Sequence, residues 1–385
     1  MKIGIFTDTY LPETNGVVTV IRLMEQGLRR EGHEVYIFAP TYPSKDETRL
    51  RAEVYRFPSV RFIYYEGMRV AFPSNRRALK AIPDLDIIHS HDPFSLGLLA
   101  LWASKRYSIP HVHTYHTFYA EYRRYLPPAI RPSRKMAERM SRAFCNSCDA
   151  VIAPSAQMGR ELQRYGISRP IYPLPFGVDE EEFARQPSWD VREALGLPEQ
   201  DLLLYVGRLG IEKNLDFLLR AFRRLRALRP EAQLIIAGNG PYRPALERSV
   251  AGLGLQESVI FTGYLPREKL IDLYKQATLF VFASKTETQG LVLVEAMMAG
   301  LPPVAVGMMG VLDVVTPGET GLLVGEDEEE FARACLNLLQ DGPERRRLGE
   351  AARRWALAQS ARASTSRLLE IYRAVRRERS AEQVS

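Results

Sequence analysis

Short apolar runs alternate with longer stretches in which apolar residues recur every three or four positions, and the alternation occurs twice along the chain. The runs at 2–7, 34–39, 54–57, 87–90, 111–115 and 150–153 are too continuously apolar to have one face in water. They predict strands buried on both sides. The spacing between them predicts helices over 17–31, 94–107 and 156–165, the last with Ser155 as N-cap, and a long basic helical region near 132–146. The pattern then restarts, with strands predicted at 202–206, 233–237, 259–261, 279–282 and 304–306. Helices are predicted at 215–228, 243–252, 267–276 and 290–299, and again beyond 328.

Alternating strands and helices of this kind argue for an α/β fold with parallel sheets, and two restarts argue for two Rossmann-like, doubly wound domains facing across a cleft. The Pro/Gly-rich crossing from Ile171 to Asp179 divides the chain into a domain at 1–172 and a second at 178–356. A C-terminal helix at about 360–385, with Leu368, Leu369, Ile371 and Tyr372 on helical spacing, is expected to pack back on the first domain.

Charge changes this picture because it is uneven. Residues 1–178 carry a net +9 and residues 179–385 a net −3. Two stretches, 49–80 and 118–144, interleave basic residues with aromatics such as Phe62, Tyr64, Tyr65, Phe72, Tyr119 and Tyr122. That composition suits an anionic membrane surface or a nucleic acid, or else a solvated basic face. No apolar run is long enough to span a bilayer, and Met1 leads straight into the first predicted strand, which argues against a signal peptide. The three cysteines, Cys145, Cys148 and Cys335, include one C-x-x-C without a second pair. They read as packing residues of a reducing compartment rather than a zinc site.

The strongest chemical signal is Glu287-Thr-Gln-Gly290-Leu291 followed by Glu295, where a strand meets a helix. With Thr288 as N-cap, the N–H groups of Gln289, Gly290 and Leu291 form a phosphate cradle at the helix start. Glu287 lies just outside that end and Glu295 inside it, so acceptors for hydroxyls lie on both sides of the cradle. A nucleotide sugar is a ligand of that form. Arg208 and Lys213 follow the first strand of the second domain, where two cations would neutralise a diphosphate leaving group. The loops Gly238-Asn-Gly240 and Gly263-Tyr264-Leu265 leave strand ends of the same domain and are either base-binding turns or plain ones. In the first domain, Asn15-Gly16-Val17 departs from the dinucleotide fingerprint. Three of the six histidines, His111, His113 and His116, lie on one strand and its exit. No carboxylate or thiol completes a metal set with them, and His116 is the one placed at the strand end.

Taken in order, the Gly16 loop, His116, Arg208 with Lys213, the Glu287-x7-Glu295 run and Thr320-Gly-Leu-Leu323 resemble the family 4 retaining glycosyltransferases of GT-B fold. The segments from Phe6 to Val18, His113-Thr-Tyr-His116-Thr117 and Lys285-Thr-Glu287-Thr-Gln-Gly290 look most like the bacterial 1,2-diacylglycerol 3-glucosyltransferases. More general members have Glu-Gly-Phe-Gly where this chain has Glu287-Thr-Gln-Gly290. The resemblance implies a retaining hexosyltransferase that moves glucose from a UDP-sugar to diacylglycerol. Arg208 and Lys213 would hold the diphosphate, Glu295 the ribose, and Glu287 the sugar hydroxyls, with Gln289, Gly290 and Leu291 as backbone donors. His116 would contact the sugar's primary hydroxyl or a phosphate from the opposite domain, Gly16 with Val17 would bring backbone N–H groups to a phosphate or the sugar, and the uracil would rest near Gly263, Tyr264 and Leu265. The leaving diphosphate takes the acceptor's proton, so no metal or cofactor is required, although a divalent ion could stimulate. Arg123, Arg124, Arg131, Arg134 and Lys135 become the cations that dock the protein on the inner face of the cytoplasmic membrane, and no nucleic acid is expected. The same chemistry on phosphatidylinositol, another glycolipid or a soluble sugar is the alternative, as is a non-catalytic basic binding protein.

Overall fold

The computed structural model describes residues 1–13, 15–43, 53–62, 68–197 and 200–384, without the side chains at 122, 124 and 382–384. Tyr64, Tyr65 and the side chains of Tyr122 and Arg124 therefore lie outside the described residues. The chain divides into two compact units: Met1–Phe176 joined by Ala361–Ser385, and Gly177–Ser360.

The strands are β1 (Lys2–Phe6), β2 (Glu34–Pro40), β3 (Val54–Phe57), β4 (Ser59–Arg61), β5 (Arg69–Ala71), β6 (Ile87–Ser90), β7 (His111–Thr114), β8 (Ala150–Ala153) and β9 (Ile171–Pro173) in the first unit. The second holds β10 (Leu202–Val206), β11 (Gln233–Ala237), β12 (Val259–Gly263), β13 (Leu279–Phe282), β14 (Pro303–Val306) and β15 (Leu322–Val324). The first sheet runs β3-β2-β1-β6-β7-β8-β9 and the second β12-β11-β10-β13-β14-β15, and every pairing in both is parallel. Each sheet starts in its middle and winds outward both ways, so each has a switch point, between β1 and β6 and between β10 and β13. In doubly wound sheets ligands bind beyond the strand ends at that point.

The central strands β1, β2, β6, β7, β8, β10, β11, β13 and β14 are buried along nearly their whole length, as the continuous apolar runs require. In the first unit Phe6 stacks on Phe38 at 4.2 Å between ring centres. In the second, β10 to β14 lie between helices that include Leu215–Leu228, which packs against Glu328–Gln340 through Phe217 and Phe331. The helices Leu215–Leu228, Arg243–Gly252 and Arg267–Gln276 have the bounds that spacing predicts.

Several elements differ from the sequence reading. The run read as a Pro/Gly-rich crossing contains β9, which sits at the sheet edge, where Pro173 removes no interior hydrogen bond. The hairpin of β4 and β5 forms from three-residue strands too short to show a period. The helix after Glu287 is Leu291–Met298, and Gly290, at φ 85°, takes the cap position. Thr288 is not the N-cap, because a left-handed cap residue puts the chain reversal at the glycine itself.

The C-terminal helix Ala361–Val384 belongs to the first unit. The Tyr372 hydroxyl shares a 2.6 Å hydrogen bond with His89 Nδ1, Arg376 pairs with Asp86 at 3.0 Å and Arg379 with Asp149 at 2.9 Å. A Cβ on Gly27 would lie 2.1 Å from Thr365 Oγ1, so only glycine lets the helix Gly16–Arg30 approach so closely.

Candidate functional site

At the second unit's switch point, the exit of β10 supplies Gly207, Arg208 and, after a bend, Lys213 in the short 3-10 turn Ile211–Lys213. The exit of β13 supplies residues 283–290. Lys213 forms an ion pair with Glu287, and their side chains are only 13% and 16% exposed. Burial by itself would lower the Lys213 pKa, but the Glu287 carboxylate outweighs it and the ammonium is held charged well above its ordinary value. Arg208 is half-buried on the same loop, and its carbonyl accepts from the Tyr205 hydroxyl at 3.4 Å. Sequence reasoning took Arg208 and Lys213 as two cations for a diphosphate. The structure joins Lys213 to Glu287 first, so a ligand would share that ammonium.

Beside Glu287, the Ser284 and Thr286 hydroxyls are buried and find no hydrogen-bond partner among the described residues. Buried polar groups are nearly always satisfied, and those that are not tend to mark a site. The Glu287–Gly290 turn is backed by the loop after β14. Gly310 donates to the Glu287 carbonyl at 3.0 Å, and a Cβ at Gly310 would lie 2.6 Å from the Thr288 carbonyl carbon. Sequence reasoning missed Gly310. Its one signal was a second glycine, three residues beyond Gly307, at a strand exit.

Glu295 lies on the first turns of the helix Leu291–Met298 with a side chain only 5% exposed. Its Oε1 is paired with Arg267, and its Oε2 accepts from the Tyr274 hydroxyl at 2.8 Å. Arg267 also donates through Nε to Glu182 at 2.9 Å and lies over the Phe183 ring at 5.5 Å. Burial followed by the adjacent Glu295 raises the Tyr274 pKa far above its usual value, so it stays a proton donor. Burial opposes the charge on Arg267, and Glu295 and Glu182 more than restore it. Neither Arg267 nor Tyr274 was a sequence candidate. They sit seven residues apart on the helix Arg267–Gln276, a spacing that places both on one face.

The glycine loops have structural reasons to be glycine. A Cβ at Gly238 would lie 2.0 Å from the Gly207 carbonyl, and one at Gly240 2.4 Å from the Leu209 carbonyl. Gly263 has φ 68°, and its carbonyl accepts from Gly238 N–H at 2.9 Å. Tyr264 is 63% exposed beside a half-buried Leu265.

In the first unit the exits of β1, β6 and β7 gather the histidines. His91 Nδ1 and His116 Nε2 share a 2.7 Å hydrogen bond, and His116 stacks on Phe176 at 5.7 Å. Ser90 Oγ bridges His111 Nε2 at 2.8 Å and His113 Nδ1 at 2.9 Å. Burial first, then a neighbouring imidazole, pushes His111 and His116 down to about 3; burial does the same to His113, and His89 and His91 fall well below the ordinary value. All five are neutral at pH 7. No grouping of histidine, cysteine or carboxylate among the described residues is disposed to hold a metal ion. The three cysteines are free and buried, and burial raises the Cys145 thiol to about 12, so they are inert packing groups.

The exits of β1 and β6 also carry a buried carboxylate pair, Asp8 and Asp92. Asp8 Oδ1 accepts from Leu96 N–H at 3.1 Å and from the Ser95 hydroxyl. Asp92 Oδ2 accepts from Asp8 N–H at 3.0 Å. Burial, then the nearby Asp92, raises Asp8 to about 8. Asn15 caps the helix Gly16–Arg30 by accepting from Val18 N–H at 3.0 Å. Gly16 is exposed, and an added Cβ there would meet nothing within 4 Å.

The cations of the basic stretch differ in how the fold engages them. The helix Arg134–Cys145 buries Ala137, Ser141, Phe144 and Cys145 and exposes Lys135, Arg139, Met136 (48%) and Met140 (58%), with Ile130 (55%) just before it. Arg134 is paired with Glu121, Glu138 and Glu161, so its charge is neutralised within the fold. Arg123 donates to the Ala120 carbonyl and Arg131 to the Leu126 carbonyl, both at 3.0 Å. No helix among the described residues is long and apolar enough to cross a membrane.

Residues 14–182 match the sequence family described as glycosyltransferase family 4, and residues 187–355 that described as glycosyl transferases group 1. The alpha-monoglucosyldiacylglycerol synthase of Streptococcus pneumoniae is 35% identical over 355 residues, covering 89% of this chain and 79% of that protein. A GDP-mannose-dependent alpha-mannosyltransferase of Mycobacterium tuberculosis is 31% identical over 392 residues, covering 98% and 97%. Among solved structures, Anabaena HepE in complex with UDP and glucose superposes with a TM-score of 0.80 over 97% of this chain and all of that one, at 19% identity.

Proposed function

The chain belongs to the family 4 glycosyltransferases of GT-B fold, and from that premise we propose that it transfers glucose from UDP-glucose to 1,2-diacylglycerol with retention of the anomeric configuration. The observation that carries the donor half is the Lys213–Glu287 pair at the β10–β13 switch point, with the anchored Glu295 on the helix that follows. In this reading Lys213 and Arg208 neutralise the diphosphate. Glu287 accepts from the sugar hydroxyls, with Gln289, Gly290 and Leu291 as backbone donors, and Glu295 accepts from the ribose. Tyr264 and Leu265 flank the base, and Gly16, Val17 and His116 serve the sugar and its phosphates from the first unit.

In this reading Glu287 and Glu295, each paired with a cation, act as ligands for the donor rather than as nucleophiles. Catalysis then rests on charge stabilisation and positioning, and the departing diphosphate accepts the proton of the incoming hydroxyl on the same face. No cofactor is required. The lipid acceptor is supported by the 35% identity to a glucosyldiacylglycerol synthase. It is supported as well by the exposed Met136, Met140 and Ile130 set among Lys135 and Arg139, a pattern that suits an anionic bilayer surface on the cytoplasmic side. Similarity to a GDP-mannose-dependent enzyme favours a second reading, the same chemistry with a GDP-linked hexose.

The test is nucleoside-diphosphate release from UDP-glucose and from GDP-mannose, with and without diacylglycerol in anionic vesicles, followed by anomeric analysis of the lipid. Lipid-dependent UDP release giving an α-glucoside, lost in Glu287→Ala, is the expected result. Turnover of GDP-mannose alone would replace the donor, and turnover indifferent to lipid would replace the acceptor.

A further inference from the structure

The nucleotide end of the site carries a specificity device that follows from how Glu295 is held, and it rests on the reading of Glu295 as the ribose acceptor. A carboxylate that is to accept from two vicinal hydroxyls must present both oxygens in one plane, and a free glutamate side chain rotates about its last bond. Here the rotation is stopped at both oxygens. Arg267 is paired with Oε1, Tyr274 donates to Oε2 at 2.8 Å, and each oxygen keeps a second acceptor position. The two anchors are fixed in turn. Tyr274 is fully buried, and Arg267 is tied through Nε to Glu182 and lies over Phe183. Nothing in the family 4 assignment itself gives these two residues a role.

We propose that Arg267 and Tyr274 are positioning residues that lock the Glu295 carboxylate in one orientation and thereby set the enzyme's discrimination between ribose and 2′-deoxyribose in its nucleotide donor. Discrimination of this kind is largest where a rigid, buried polar group is left unmatched by the wrong ligand. With Glu295 locked, loss of the 2′-hydroxyl strands one oxygen. With Glu295 free to turn, the carboxylate swings to the remaining 3′-hydroxyl or to water and little is lost.

The experiment is titration calorimetry on the full chain with UDP against 2′-deoxy-UDP and, in parallel, GDP against 2′-deoxy-GDP. The proteins are wild type, Tyr274→Phe, Arg267→Lys and Glu295→Gln. Tyr274→Phe keeps the packed ring and removes only the donor; Arg267→Lys keeps the charge but cannot reach Glu182 and Glu295 together. Melting temperatures confirm that each variant is folded. A hydrogen bond to a charged acceptor predicts that wild type prefers the ribonucleotide by about tenfold or more. The inference expects that ratio to fall toward one in all three variants, while overall affinity falls less in Tyr274→Phe than in Glu295→Gln. If Glu295→Gln collapses the ratio and Tyr274→Phe and Arg267→Lys leave it at the wild-type value, the positioning role is wrong and the ribose site stands. If Glu295→Gln itself keeps the ratio, or neither nucleotide pair binds, the assignment of Glu295 fails and this inference fails with it.

Discussion

Removing one member of the Lys213–Glu287 pair should damage the second unit more than removing both. The two side chains are 13% and 16% exposed, and each neutralises the other. Lys213→Met leaves the Glu287 carboxylate poorly solvated and uncompensated. Breaking an ion pair buried to this degree from one side costs about 3 kcal/mol, while replacing both charges by neutral groups of similar shape is near neutral. At about 2–4 °C per kcal/mol for a unit of this size, Lys213→Met should lower its melting transition by about 6–12 °C. Glu287→Gln should do somewhat less, because an ammonium on a flexible stem can reorient toward water. The double variant should recover most of the loss, so the coupling in a double-mutant cycle read by calorimetry should approach the sum of the two single losses, about 4 kcal/mol. Activity should behave in the opposite way. Both single variants should lose at least about 100-fold in kcat/KM for the donor, and the double variant should recover nothing, because the groups act on the same transition-state charge. Additive stability losses would refute the claim that the pair is desolvated. Recovery of activity in the stable double variant would refute its place in the donor site.

Three further outcomes follow from the titrating groups and the exposed helix. His111, His113 and His116 titrate near 3 in the fold against about 6.5 in the unfolded chain, so the unfolded state binds more protons between those values and stability falls as the pH falls through that window. From these three alone the first unit should lose about 5 kcal/mol between pH 6.5 and 5, which circular-dichroism melts across that range will check. Asp8 has the opposite sign. With its folded value raised to about 8, its contribution is present below about 4 and is lost as the pH rises to 8. Asp8→Asn, which keeps the acceptor for Ser95 and Leu96, should therefore melt higher than wild type at pH 8 and equally at pH 4. Met140→Glu should reduce sedimentation with anionic diacylglycerol vesicles by about tenfold without changing the melting temperature, since Met140 is 58% exposed and the substitution both removes an inserting group and adds a repelled charge. An equal loss with neutral vesicles would point to packing rather than charge.

The sequence was most legible where a period or a cap acts locally. Continuous apolar runs specify strands buried on both faces, and amphipathic spacing fixed helices such as Leu215–Leu228 to the residue. The short hairpin of β4 and β5 and the edge strand β9 were missed because three residues carry no period and a proline argues against a strand until its place at the edge is known. Within the site, Glu287, Glu295 and Lys213 were visible as residue types beside strand ends. Their partnerships were not, because they depend on distances between elements far apart in the chain. Glu295 meets Tyr274 and Arg267 from another helix, and Gly310 meets Thr288 from another loop. The same limit explains Arg134. Its place in a basic stretch is visible in the sequence, but its pairing with Glu121 and Glu161 as well as the neighbouring Glu138 is not.

The first unit is discontinuous in the chain, with residues 177–360 inserted before its last helix, Ala361–Val384. During synthesis the inserted unit leaves the ribosome whole and is free to fold, while the earlier part of the first unit still lacks Tyr372, the partner of His89 across 283 positions. Until that helix arrives, a buried imidazole and the apolar flank of the helix Gly16–Arg30 stay open to water. The order of assembly is thus inverted relative to the order of translation. Nascent chains stalled before residue 361 should carry a protease-resistant second unit attached to an unfinished first one.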